Sequence, residues 1–201
     1  MVLSLPLCLT LSRILLGPIF MAVFLYYQSF DISLQWLPYI LLALAFVSEI
    51  SDVFDGFFAR RHNKVTELGK LLDPMADSIF RLSVLFSFTQ GFLQLPLLLV
   101  SVFFYRDIII STLRTICALR GVALAARWSG KIKAVILAIV IFFILILMIP
   151  YSLGYLDLET LSVISFYSVG VAAMYVVYSG FEYIIANKSY IRKALGVSDH
   201  R

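Results

Sequence analysis

Apolar residues run through this chain in blocks of about 20, the length of a helix that crosses a bilayer, with short polar connections between them. Six blocks stand out, at 10–27, 36–59, 71–89, 95–119, 132–150 and 161–186. The third is the least apolar, because Asp73, Pro74 and Asp77 fall in its first turns and Arg81 lies further in. Pro74 either begins that helix or kinks it, and it removes one N–H in both cases. Ahead of the first block, residues 3–9 read as a short segment at the membrane interface. No Lys or Arg precedes Arg13, whereas a secretory signal wants a positive start and a small-residue cleavage site. The predicted fold is therefore all-α and integral to a membrane: six transmembrane helices preceded by a short N-terminal interfacial segment. No internal repeat, low-complexity tract or linker divides the chain, so one domain is expected over 1–201.

Composition agrees: 62% of residues are hydrophobic and 14% charged, against roughly 25% charged in soluble domains. The charges also orient the spans. Arg60, Arg61, Lys64 and Lys70 lie in the second connection, and Arg120, Arg127 and Lys131 in the fourth. Lys188, Arg192, Lys193 and Arg201 lie in the tail. The connections at 28–35, 90–94 and 151–160 hold no Lys or Arg. The positive-inside rule then predicts cytoplasmic basic loops and, with six spans, cytoplasmic N- and C-termini. The net charge of +4 reads as a topology signal and an attraction to anionic membrane lipids. Nucleic acid is not an expected partner, since binding it needs an exposed basic domain. Cys8 and Cys117 sit in apolar runs without a metal-binding spacing, and read as small buried residues.

The polar exception is the segment 52–77. Asp52 and Asp55 are i, i+3 on the second helix, with Gly56 and Ala59 one turn on from each, so all four share a face. Asp73 and Asp77 are i, i+4 on the third helix, and Gly69 continues their stripe. Asp52 lies about 12 Å from the Arg60 end of its helix at 1.5 Å per residue. That depth is a cavity just under the cytoplasmic headgroups, reachable by lipid headgroups and soluble substrates alike. Four clustered carboxylates repel one another and do not all stay ionised unaided. Divalent cations resolve this, and Mg²⁺ or Mn²⁺ favours oxygen donors together with substrate phosphate. Gly56, Ala59 and Gly69 leave open space for a ligand or let helices pack closely. Arg60 at the mouth suits phosphate.

The spacing Asp52-x2-Asp55-Gly56-x2-Ala59-Arg60-x8-Gly69-x3-Asp73-x3-Asp77 resembles the signature of the CDP-alcohol phosphatidyltransferase family without gap or mismatch. The resemblance implies that Asp52, Asp55, Asp73 and Asp77 bind two divalent ions, Mg²⁺ or Mn²⁺. The ions hold the pyrophosphate of a CDP-linked lipid. Asp77 acts as general base on the acceptor hydroxyl, the acceptor oxygen attacks the β-phosphorus, and CMP leaves. Gly56, Ala59, Arg60, Thr66 and Gly69 stand where the family contacts the nucleotide. It further implies a homodimer with a cytoplasmic active site in a bacterial cytoplasmic membrane.

Leu72-Asp73-Pro74-Met75-Ala76-Asp77, the Thr10 to Ile14 stretch, the Arg106 to Arg114 run and Gly130 to Lys133 are similar to the members that make phosphatidylglycerophosphate. That likeness implies CDP-diacylglycerol as donor and glycerol 3-phosphate as acceptor. Arg106, Arg114, Lys131 and Lys133 are then the candidate acceptor-phosphate ligands, and the competing reading is that they are ordinary cytoplasmic-end cations. The chain departs from that subgroup at Ser78, Asp107, Thr115, Ala134 and Arg81. Arg81 either favours ionised Asp77 or serves as a structural partner for Glu49 or Asp77. Glu49 and Glu182 lie in apolar runs as supporting groups or headgroup contacts. Phosphatidylglycerol, inositol phosphate and serine are the alternative acceptors. A cation-coupled transporter is the remote alternative, set against by carboxylates at helix ends rather than at mid-membrane.

Overall fold

The computed structural model describes the backbone of residues 5–61, 67–121 and 128–195, and the side chains of 11–51, 75–121 and 128–192. All regular structure among the described residues is helical: α1 Leu5–Tyr26, α2 Leu37–Arg61, α3 Glu67–Phe88, α4 Leu97–Leu119, α5 Trp128–Ser152, α6 Leu158–Ala186 and a short α7, Lys188–Leu195. A 3-10 turn, Tyr27–Phe30, follows α1. Each apolar block has its helix. Residues 5–9, expected to lie apart at the interface, continue into α1 without a break.

By length and apolar composition, three described stretches are fit to cross a bilayer: Leu11–Phe30, Trp128–Ser152 and Leu158–Ala186. Arg106, Asp107 and Arg114 interrupt α4, whereas α2 and α3 are described with side chains only over 37–51 and 75–88. The α4 charges lie inside a helix of membrane-spanning length, where intramembrane charge marks function.

The chain forms two compact units, 1–96 with 141–166, and 97–140 with 167–201. In the first, α1 packs on both α2 and α3. The α1–α3 seam is close because Gly17 has no side chain: a Cβ there would lie 2.8 Å from the Ser83 hydroxyl oxygen and 3.2 Å from its Cβ. Next to it, Phe20 meets Phe80 and Phe88 edge to face at 6.1 and 6.4 Å. Phe24 meets Phe88 at 5.7 Å. Such pairs contribute about 0.5–1.5 kcal/mol beyond their burial. Gly91 follows α3 at φ +64°, and a Cβ there would press on the Phe24 ring at 3.0 Å, so two constraints select glycine at this turn.

In the second unit, the amphipathic α7 returns along α4. Its Ile191 is buried against Cys117 and Leu113, while Lys188 and Arg192 stay exposed. Asn187 makes the break between α6 and α7 by donating from Nδ2 to the Tyr183 carbonyl at 2.8 Å.

Asp157 caps α6. Its carboxylate accepts from the Thr160 N–H and the Thr160 hydroxyl, both at 2.8 Å. These bonds, the backbone one first, hold the Asp157 carboxyl below its ordinary value. A depressed folded value means the cap stabilises the fold above the unfolded aspartate value of about 3.9 and loses that effect as pH falls through the folded one. Asp157→Ala is thus expected to lower the melting temperature at neutral pH. The gap to wild type should close as the pH drops below the ordinary aspartate range, as followed by thermal unfolding in detergent.

Candidate functional site

The acidic hairpin belongs to α2 and α3, which touch each other in the first unit. Asp52, Asp55, Gly56, Ala59 and Arg60 fall on the last turns of α2, and Gly69 and Asp73 on the first turns of α3. Their side chains lie outside the described residues, as does Thr66 altogether. Asp77 is described. It sits on α3 beside fully buried Ala76 and keeps 29% of its side-chain surface exposed. Arg81, one turn further along α3, is 7% exposed and places Nη2 3.0 Å from Asp77 Oδ1. The same nitrogen donates to Glu49 of α2, at 3.0 Å to Oε1 and 3.3 Å to Oε2. Arg81 therefore serves both acids, and is the structural partner of Glu49 that the sequence offered as one reading. One guanidinium between two carboxylates leaves the group net negative, in the unit that carries the four aspartates.

The expected acceptor-phosphate cations all fall in the second unit. Lys133 of α5 donates to Asp107 of α4 at 2.8 Å to Oδ1 and 3.0 Å to Oδ2. Arg106 Nη1 donates to the same Oδ1 at 3.0 Å, and its Nη2 to the Ser179 hydroxyl of α6 at 3.2 Å. The carboxylate is 10% exposed, and the two cations 11% and 12%. Gly180 makes room for this: a Cβ there would stand 3.2 Å from Arg106 Cγ. The structure thus brings Arg106 and Lys133 together on one acid, and leaves the trio at +1. Arg114 and Lys131 lie elsewhere. Arg114 Cζ sits 5.9 Å from the centre of the Tyr183 ring, and the Lys131 ammonium 4.7 Å from that of Trp128. The Arg114 Nε and the Tyr183 hydroxyl are buried without a hydrogen-bond partner among the described residues. Glu182, the other unexplained acid, accepts from the Ser129 hydroxyl of α5.

Sequence reasoning missed Asp107 as an organising acid, treating it as a variation. It also passed over Ser179 and Tyr183. The signal was present for Asp107: an acid next to Arg106 in an apolar helix needs cations, and Lys133 is near in the next one. For Tyr183 there was none short of the three-dimensional packing.

Among the described residues no cluster of three metal-binding side chains occurs, because three of the four aspartates lie outside that description. The donor set nevertheless fits hard divalent cations. The four acids offer only carboxylate oxygens, on helices that touch.

These features define a helical membrane protein with a carboxylate-rich hairpin. The sequence pattern of CDP-alcohol phosphatidyltransferases matches residues 3–176, and the chain belongs to that family, as an enzyme of its class. A Bacillus subtilis (strain 168) protein named CDP-diacylglycerol--glycerol-3-phosphate 3-phosphatidyltransferase is 32% identical over 190 residues, covering 92% of this chain and 95% of the relative. Proteins of the same name from Blochmanniella floridana and Escherichia coli (strain K12) are each 34% identical, over 139 and 136 residues. Those matches cover 66% and 65% of this chain, and 68% and 70% of the relatives.

The Asp107 trio gives a direct test of its energetics. Asp107→Ala leaves two buried cations without their acid and is expected to cost about 3–5 kcal/mol. Lys133→Met keeps the Arg106–Asp107 pair and should cost clearly less. Denaturation midpoints of the two purified variants check the order.

Proposed function

We propose that this chain transfers the phosphatidyl group of CDP-diacylglycerol to glycerol 3-phosphate, giving phosphatidylglycerophosphate and CMP. The observation that carries the reading is the complete, ungapped hairpin signature from Asp52 to Asp77. It stands in a chain whose full-length relative is named for that reaction. The acceptor hydroxyl oxygen forms a bond to the β-phosphorus, the bond from that phosphorus to the CMP oxygen breaks, and the hydroxyl proton passes to Asp77.

Asp52, Asp55, Asp73 and Asp77 would hold two Mg²⁺ or Mn²⁺ ions. When bound, these ions supply charge neutralisation at the pyrophosphate and at the leaving oxygen. Gly56, Ala59, Arg60, Thr66 and Gly69 receive the nucleotide, the small residues by admitting it close to the backbone. Arg106, Arg114, Lys131 and Lys133 receive the acceptor phosphate. The Asp107 bridge supports a fixed direction for Arg106, which a bidentate phosphate contact needs. Arg81 holds one oxygen of Asp77, with Nη2 3.0 Å from Oδ1.

In this reading the whole chain is one catalytic domain with six spans and an N-terminal interfacial stretch. Both termini and the active site face the cytoplasm of a bacterial inner membrane, and the chain works as a homodimer. The apolar helices and the positive loops at alternate connections support that placement.

Purified protein given CDP-diacylglycerol and labelled glycerol 3-phosphate is expected to release CMP only with Mg²⁺ or Mn²⁺, and to stop on chelation. Phosphatidylglycerol, inositol phosphate and serine, offered in competition, should give little product; preferential use of any one of them would replace the acceptor assignment. Asp77→Asn should bind CDP-diacylglycerol yet turn over about 100-fold or more slowly. Wild-type turnover by that variant would remove Asp77 as the base.

A further inference from the structure

We infer that Glu49 and Arg81 are positioning residues that set the angle of the Asp77 carboxylate, acting as a clasp across the α2–α3 hairpin. The inference rests on the reading of Asp77 as general base. Three contacts carry it: Arg81 Nη2 lies 3.0 Å from Asp77 Oδ1, 3.0 Å from Glu49 Oε1 and 3.3 Å from Glu49 Oε2. The clasp occupies the turn before Asp52 on one helix and the turn after Asp77 on the other, so it braces both strands of the hairpin just behind the acids.

The geometry separates this role from a plain helix tie. A tie needs one acid for one guanidinium, and Glu49 alone would complete it. Here the same nitrogen also grips one oxygen of Asp77, whose side chain stays 29% exposed while the Arg81 side chain is 7% exposed. The arginine is buried and the aspartate accessible, which suits an anchor for a group that must meet a substrate. A long helical side chain leans toward the N-terminal turn, so an arginine at i+4 reaches Asp77 without strain. Glu49 holds the guanidinium from the opposite helix and limits its swing. With Oδ1 held, rotation of the Asp77 carboxylate about its own axis is restrained. In-line transfer depends on such alignment, and a displacement of about 1 Å can cost about 100-fold in rate.

The test uses the full-length chain in detergent or nanodiscs, with Glu49→Gln, Arg81→Lys, Arg81→Met, the Glu49→Gln/Arg81→Met double variant, and each of these in an Asp77→Asn background. Turnover, KM for both substrates, equilibrium binding of CDP-diacylglycerol and the melting temperature are measured on each. Arg81→Met is expected to lower kcat about 10- to 100-fold, with KM and CDP-diacylglycerol binding within about threefold of wild type. Glu49→Gln should lose less. The double variant should be no slower than Arg81→Met, because Glu49 acts through Arg81. Arg81→Lys should recover part of the loss. In the Asp77→Asn background none of these changes should slow turnover further.

Additive losses in the double variant would overturn the inference, as would lowered melting temperatures with kcat unchanged. The conservative Glu49→Gln and Arg81→Lys variants decide the matter should Arg81→Met not fold. Full-rate clasp variants alongside an inactive Asp77→Asn would sink the clasp and leave the base standing. An active Asp77→Asn would remove the base and the clasp together.

Discussion

A cation buried in an apolar helix bundle has to keep a carboxylate within reach, and this requirement organises both units of the chain. Transfer of an isolated charge into such surroundings costs several kcal/mol even after relaxation, and only close pairing offsets it. Arg81 meets the requirement with two acids, and Asp107 meets it for two cations. The signs are opposite. Glu49, Arg81 and Asp77 together sum to −1, and Arg106, Asp107 and Lys133 to +1.

Small residues do complementary work. Gly17 lets α1 approach α3, the helix that carries Asp77 and Arg81, and Gly180 lets the Arg106 stem pass α6. In both cases the missing side chain lies beside a charged element rather than in a loop. Helix packing and site geometry are therefore the same problem here. The aromatic seam of Phe20, Phe24, Phe80 and Phe88 holds α3 against α1, and so limits how that helix can rotate.

The helices and the acidic stripe were legible in the sequence because both depend on spacing within one helix. Asp52 with Asp55, and Asp73 with Asp77, are neighbours by helical geometry alone. The Arg81–Asp77 contact was open to view for the same reason. Glu49 stood only as one option for Arg81, and Asp107 with Lys133 and Ser129 with Glu182 were not foreseen, since these pairs join residues 26 to 53 positions apart on different helices. Charged residues therefore read as separate ligands or topology markers until packing paired them. The segment expected at the interface ahead of the first span is helical from Leu5 and continuous with α1, because nothing in Leu5-Pro-Leu-Cys-Leu opposes helix. Proline at the second residue of a helix is well tolerated there.

The seam between α4 and α7 has a chemical consequence. Cys117 is 1% exposed, covered by Ile191 of the short basic tail helix. A thiol so enclosed is closed to water-borne electrophiles, and it becomes reactive only while the tail stands away from α4. With Cys8 replaced, the alkylation rate at this single sulfur would count the openings of the C-terminal helix directly.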